Sequence, residues 1–110
     1  MTAKELREAL ALQVLSEPDP DRTVTGGYAG DLLSWVMGRA QSGDAWVTIM
    51  TNRNILAVAA LADTACVIVA EDSVVEADVT ALAVEKGLNL YRSSLTGFDL
   101  CCRIGSLLGV

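Results

Sequence analysis

Cys66-Val67-Ile68-Val69, flanked by Ala65 and Ala70, is an unbroken apolar run, the pattern of a strand covered on both faces. Such a strand belongs inside a parallel sheet, and each parallel step needs a crossover, most often a helix. From Ala45 onward the chain supplies that alternation. The pattern predicts strand Ala45–Met50, helix Asn54–Leu61, strand Ala65–Ala70, helix Glu76–Lys86 stopped by Gly87, strand Leu88–Tyr91 and helix Phe98–Leu108. Upstream it predicts helix Lys4–Leu10, strand Leu12–Leu15, and a turn over Ser16–Asp21 set by Pro18 and Pro20. A short β-branched strand, Arg22–Thr25, then ends at Gly26-Gly27, and helix Asp31–Ala40 follows with Gly43-Asp44 as its exit. The expected fold class is α/β: one domain over residues 1–110, with three α/β/α layers around a mixed, mostly parallel sheet of about five strands.

Two of the predicted helices lack a polar face. Leu32, Leu33, Trp35, Val36, Met37 and Ala40 crowd one, and Phe98, Leu100, Cys101, Cys102, Ile104, Leu107 and Leu108 surround the other. A helix apolar all round is buried on more than one side. With 52% hydrophobic residues and a mean hydropathy of +0.41, the expectation is a homodimer that covers the surplus. The formal charge of −6 and the eight scattered basic residues exclude a nucleic-acid partner. No apolar run reaches the length of a membrane span, and Met1–Glu8 has charges of both signs instead of a leader's apolar segment, so a cytoplasmic location is expected. Cys66, Cys101 and Cys102 all sit in apolar contexts and read as buried, reduced thiols packed as small hydrophobes.

Gly26-Gly27 is expected to form a tight turn with positive φ, more sensitive to substitution than Gly43. It stands before a helix, where backbone N–H groups favour an anion, although Asp31 in the first turn would already fill that role. Thr51, Asn52 and Asn54 follow one predicted parallel strand, and Ser93, Ser94 and Thr96 follow another. Ligands of open α/β sheets bind beyond the carboxyl ends of such strands. The same residue types also cap helices, so both readings stand at this point. Asp21 and Arg22 either pair with each other or reach the same edge, where Gly26, Asn52 and Ser94 are expected to converge. The absence of His excludes Ser-His, Cys-His and imidazole–metal chemistry. No catalytic residue, metal or cofactor is expected.

The run Asp21-Arg22-Thr23 followed by Gly26-Gly27, together with Val24–Ser34 and Thr48–Asn54, resembles a DRTGG domain, and the resemblance extends from the first helix to Thr96-Gly97-Phe98. That family in turn resembles the N-terminal domain of HPr kinase/phosphorylase, with an α/β/α fold. Its members occur alone or beside CBS-domain pairs, sometimes near hydrogenase and sensor-kinase genes. The resemblance implies a non-catalytic regulatory module that senses a small metabolite or a partner protein. The alternatives are a structural adaptor without a ligand or, less favoured, an enzyme acting on a small phosphorylated or nucleotide substrate. A kinase of the HPr type needs a Gly-x-x-x-x-Gly-Lys-Ser/Thr phosphate loop; none is present, and Gly26–Ser34 contains no lysine.

Overall fold

In the computed structural model, which describes residues 1–110, the elements run α1 (Ala3–Ala9), β1 (Gln13–Ser16), β2 (Gly26–Ala29), α2 (Leu33–Arg39), β3 (Asp44–Thr48), α3 (Asn54–Ala62), β4 (Cys66–Val69), α4 (Ala77–Lys86), β5 (Leu90–Arg92) and α5 (Gly97–Leu108). The strands lie in the order β1-β5-β4-β3-β2. β2 to β5 are mutually parallel, and β1 closes the far edge antiparallel to β5. The sheet is mixed and mostly parallel, as the apolar run at Cys66 implies.

Side chains alternate across this sheet and sort the core into two halves. Ala45, Val47, Cys66, Ile68 and Tyr91 face α1 and α5, where Leu6, Leu100 and Ile104 meet them. Trp46, Val67, Val69 and Leu90 face α2, α3 and α4, where Val36, Ile55, Leu56, Val79 and Ala83 meet them. Because β2 to β5 advance across the sheet without reversing, crossovers of one hand carry α2, α3 and α4 to one face. α1 and α5 are left to cover the other. Trp46 is fully buried, contributes about 3 kcal/mol by area alone, and satisfies its indole N–H on the Gly30 carbonyl at 2.9 Å.

Polar ties fix the chain where it turns. Thr2 caps α1 through a reciprocal capping box with Glu5. Glu17, in the turn after β1, accepts two bonds from Arg7 at 3.0 and 2.8 Å and one from the Tyr91 hydroxyl at 2.7 Å. The Arg7 hydrogen bond holds the Glu17 carboxyl below its usual range; burial opposes this, and Tyr91 adds to it. A depressed carboxylate pKa contributes stability that is complete above the unfolded value and is lost as pH falls through the folded one. Asn89 bridges Asp19 and Ala65 through its amide, pinning the Pro18–Pro20 turn to the start of β4.

The structure differs from the sequence reading in several places. First, the second strand is Gly26–Ala29 and not Arg22–Thr25, so the double glycine lies within a strand, and neither glycine has positive φ. The β-branched triplet instead lies across α1's entry, with Thr2 bridging Thr23 and the Val24 amide bonded to the Met1 carbonyl. Second, Cys66 is buried, but Cys101 and Cys102 are exposed. Third, α5 buries only Leu100 and Ile104, leaving Phe98 77% exposed, and α2 buries only Val36. Each helix lies on a single face of the sheet, so its outer side has nothing within this chain to cover it.

Of Gly27 and Gly43, the conformationally demanding one is Gly43. Its φ is +86°, its carbonyl accepts the Thr25 amide at 3.0 Å, and a Cβ there would run into the Thr25 hydroxyl. A Cβ on Gly26 would stand 2.8 Å from the Asp44 carboxylate, whereas one on Gly27 meets only ordinary contacts at 3.5 Å and beyond. Gly43→Ala is therefore expected to lower unfolding free energy by more than about 1 kcal/mol and Gly27→Ala by less than about 0.5 kcal/mol, read from urea denaturation. Equal effects would contradict this assignment of strain.

Candidate functional site

Parallel strands present their carboxyl ends at one edge, and the loops leaving that edge here diverge. After β4 the chain turns toward α4 on one face, and after β5 it turns toward α5 on the other. Such a change of side between adjacent strands marks the edge favoured for ligands in open α/β sheets. A cavity of about 370 Å³ opens beside the β5 exit, toward the end of α1 and the start of β1, lined by Leu10, Gln13, Asp72, Arg92, Ser93, Ser94, Leu95 and Arg103, among others.

Arg92, the last residue of β5, organises this crevice. Its guanidinium donates to the Ser73 carbonyl at 2.8 Å, the Asp72 carbonyl at 2.7 Å and Gln13 Oε1 at 3.2 Å, and pairs with the Asp72 carboxylate at 3.0 Å. Asp72 and its neighbour Glu71 both have left-handed backbones, φ +57° and +59°, which non-glycine residues seldom adopt. The Glu71 amide donates to Leu95 O and the Asp72 amide to Ser93 O, both at 2.9 Å, so the two exit loops are stitched together. Ser93 Oγ accepts the Leu95 amide at 3.1 Å, and Ser94 is exposed. Arg103, on the exposed side of α5, takes part in none of the three ion pairs.

Other sequence-predicted residues are dispersed around the molecule. Asp31 lies at the same edge but ahead of α2, not in its first turn; one carboxylate oxygen accepts from Thr48 Oγ1 at 2.8 Å and from the Ile49 amide at 2.9 Å. It borders a smaller cavity of about 150 Å³ together with Thr48 and Glu71. Asn52 accepts the Asn54 amide at 2.9 Å, closing the turn into α3, and Thr96 accepts the Asp99 amide at 3.1 Å as the cap of α5. Thr51, Asn52 and Asn54 leave β3, two strand spacings or about 10 Å from the β5 exit.

Asp21, Arg22 and Gly26 stand at the opposite, amino edge. Arg22 pairs with Asp63 at 3.0 Å and donates to Ser42, both beside the entries to β3 and β4, and not with Asp21. Gly26 opens β2 opposite Asp44, the first residue of β3. Gly26 does not converge with Asn52 and Ser94, because the glycines begin a strand instead of ending one. Sequence reasoning missed Arg92, Arg103 and Asp72. Arg92 closes the final strand and Arg103 is the single cation of α5, a signal the sequence did carry.

No family model matches the chain, and no curated protein matches it. Its fold is similar to a solved structure of the CBS and DRTGG domains of the regulatory region of Clostridium perfringens pyrophosphatase, complexed with activator, diadenosine tetraphosphate, with a TM-score of 0.67 at 11% identity. The likeness covers 90% of this chain and 44% of that one, so the chain spans less than half of that structure's length. It supports a DRTGG-like fold, and it gives no support to the further resemblance to HPr kinase/phosphorylase.

The carboxyl edge yields a ranking by substitution. Asp31→Ala removes two bonds at the end of β3, one of them to a buried hydroxyl, and is expected to cost about 2 kcal/mol. Asn52→Ala loses one turn bond and should cost about 1 kcal/mol or less. Chemical denaturation reads both, and the reverse order would remove Asp31 as the anchor of this edge.

Proposed function

We propose that this chain is a single-domain, non-catalytic regulatory module of the cytoplasm that binds a small polar ligand at the carboxyl edge of its sheet and acts as a homodimer. The observation that carries the reading is the cavity beside the β5 exit, with Ser93 and Ser94 from the predicted loop and Arg92 and Arg103 beside them. Its volume of about 370 Å³ falls within the roughly 300–1,000 Å³ range of small-molecule sites. The residues offer binding groups in place of an activated nucleophile. Histidine is absent, and burial pushes the Cys66 thiol up to about 12, leaving it protonated and inert. The fold shared with a regulatory region solved with its activator supports the same reading.

The homodimer rests on the apolar side chains that α2 and α5 turn outward. Leu32, Trp35 and Met37 at one helix and Phe98 at the other are exposed, and β2 pairs with β3 on one side only. A second copy set against this edge would cover both helices and cap the unpaired strand.

Two measurements test the proposal. A thermal-shift panel of nucleotides and central metabolites should include at least one compound that raises Tm, since a ligand binding only the native state stabilises it. Ser94→Ala should reduce that shift while leaving the unliganded Tm unchanged. No stabilising compound, together with a stable dimer, would favour a structural adaptor. Sedimentation in physiological salt at micromolar chain should give a dimer, and a monomer there would remove the assembly.

A further inference from the structure

The four main cavities differ in charge. The crevice at the β5 exit sets Arg92 and Arg103 against Asp72 and is net positive. The cavity beside Asp31 carries Asp31 and Glu71 with no cation, the one beside Arg22 carries Asp19 and Asp63 against a single Arg22, and the groove over α5 has no charged side chain. In a chain of net charge −6, two of the eight basic residues meet in this one crevice.

Its free donors are those that phosphate oxygens take. The Arg103 guanidinium and the Ser94 hydroxyl and amide donate to no protein acceptor, and Ser94 sits between the two residues that bind the β4 exit loop. Arg92 is occupied on one corner by the Asp72 carboxylate, which is 67% exposed and therefore free to swing away. Arginine presents a planar fork suited to paired phosphate oxygens, and serine hydroxyls and loop amides complete such sites.

Resting on the small-ligand reading, we propose that this crevice binds a small soluble polyanion of the phosphate or phosphoanhydride class, and that Asp72 is its internal competitor for Arg92. The ligand engages Arg103, Ser93 and Ser94 and takes the Arg92 corner from Asp72. Asp72 belongs to the loop held in left-handed geometry and stitched to Ser93. The Asp72 and Ser73 carbonyls remain bonded to Arg92, so only the carboxylate has to move.

The experiment is titration of the full chain with inorganic pyrophosphate, followed by amide chemical shifts. Saturable shifts are expected at Asp72, Ser93, Ser94 and Leu95, and they should weaken as salt is raised. Arg103→Gln, an exposed substitution, should weaken binding about tenfold, the usual loss of one charge-assisted bond. Asp72→Asn keeps a residue tolerant of left-handed backbone and should tighten binding several-fold by removing the competitor. Absence of saturable shifts at these amides, or binding indifferent to Arg103→Gln and weakened by Asp72→Asn, overturns the assignment. Vesicles of phosphatidic acid in phosphatidylcholine should leave the chain in the supernatant; cosedimentation without pyrophosphate binding would overturn the soluble source. If pyrophosphate fails while a neutral compound raises Tm, only the polyanion class falls. If no compound binds at all, the ligand-binding reading falls with it.

Discussion

The paired strands β3 and β4 are covered on both faces, and every residue of both is buried. Backbone N–H and C=O groups placed that deep must be paired, and the ladders to β2 and β5 provide the partners. The four parallel strands and two helical layers follow from this one requirement, and β1 is added at the edge of β5. Side chains from Trp46 and Val67 on one face, and Val47 and Ile68 on the other, then dictate which helices must arrive and where they must be apolar. Polar residues in these strands are few and each is accounted for. Thr48 donates to Asp31, and Asp44 accepts the Gln41 amide, so both ends of β3 are closed by local bonds.

The two edges of the sheet are built differently. At the amino edge Arg22, Ser42 and Asp63 form a closed polar cluster in which the charges satisfy each other. The Arg22 hydrogen bond is the main cause of the lowered Asp63 carboxyl, with the Ser42 bond second. At the carboxyl edge the exits of β4 and β5 are bonded to each other before leading to opposite layers, and the Arg103 and Ser94 donors beside them are left without partners. Structure has consumed the signature at one edge, and unspent polar groups collect at the other. The Asp21-Arg22-Thr23 and Gly26-Gly27 run marks the fold, because Gly26 admits the Asp44 carboxylate and Arg22 locks the entry to β4.

Helices α2 and α5 present a different kind of incompleteness. Each packs one stripe on the sheet, through Val36 in one case and through Leu100 and Ile104 in the other, while apolar residues remain on the opposite side. Arg39 lies 3.6 Å over the Trp35 ring and covers part of it, a cation–π contact worth about 0.5–1 kcal/mol at an exposed site. Nothing comparable covers Phe98, which remains 77% exposed.

The sequence alone determined the α/β class, the mixed sheet, and every element from Asp44 onward to within a few residues. Apolar runs, helix stops such as Gly87 and caps such as Thr96 are local signals, and burial on both faces of a central strand leaves a continuous one. Tertiary structure decided the rest. Gly26-Gly27 became strand because β3 offered it a ladder, overriding a glycine pair whose own preference is for a turn. Cys101, Cys102 and Phe98 stayed outside because α5 has a single sheet face to lie on, a fact fixed by layer count and invisible in residue type. Ser93 and Ser94 were legible from their place after a strand, but Arg92, Asp72 and Arg103 join them only when β4 and α5 are brought together. That meeting is set by the order of strands in the sheet, which no local pattern encodes.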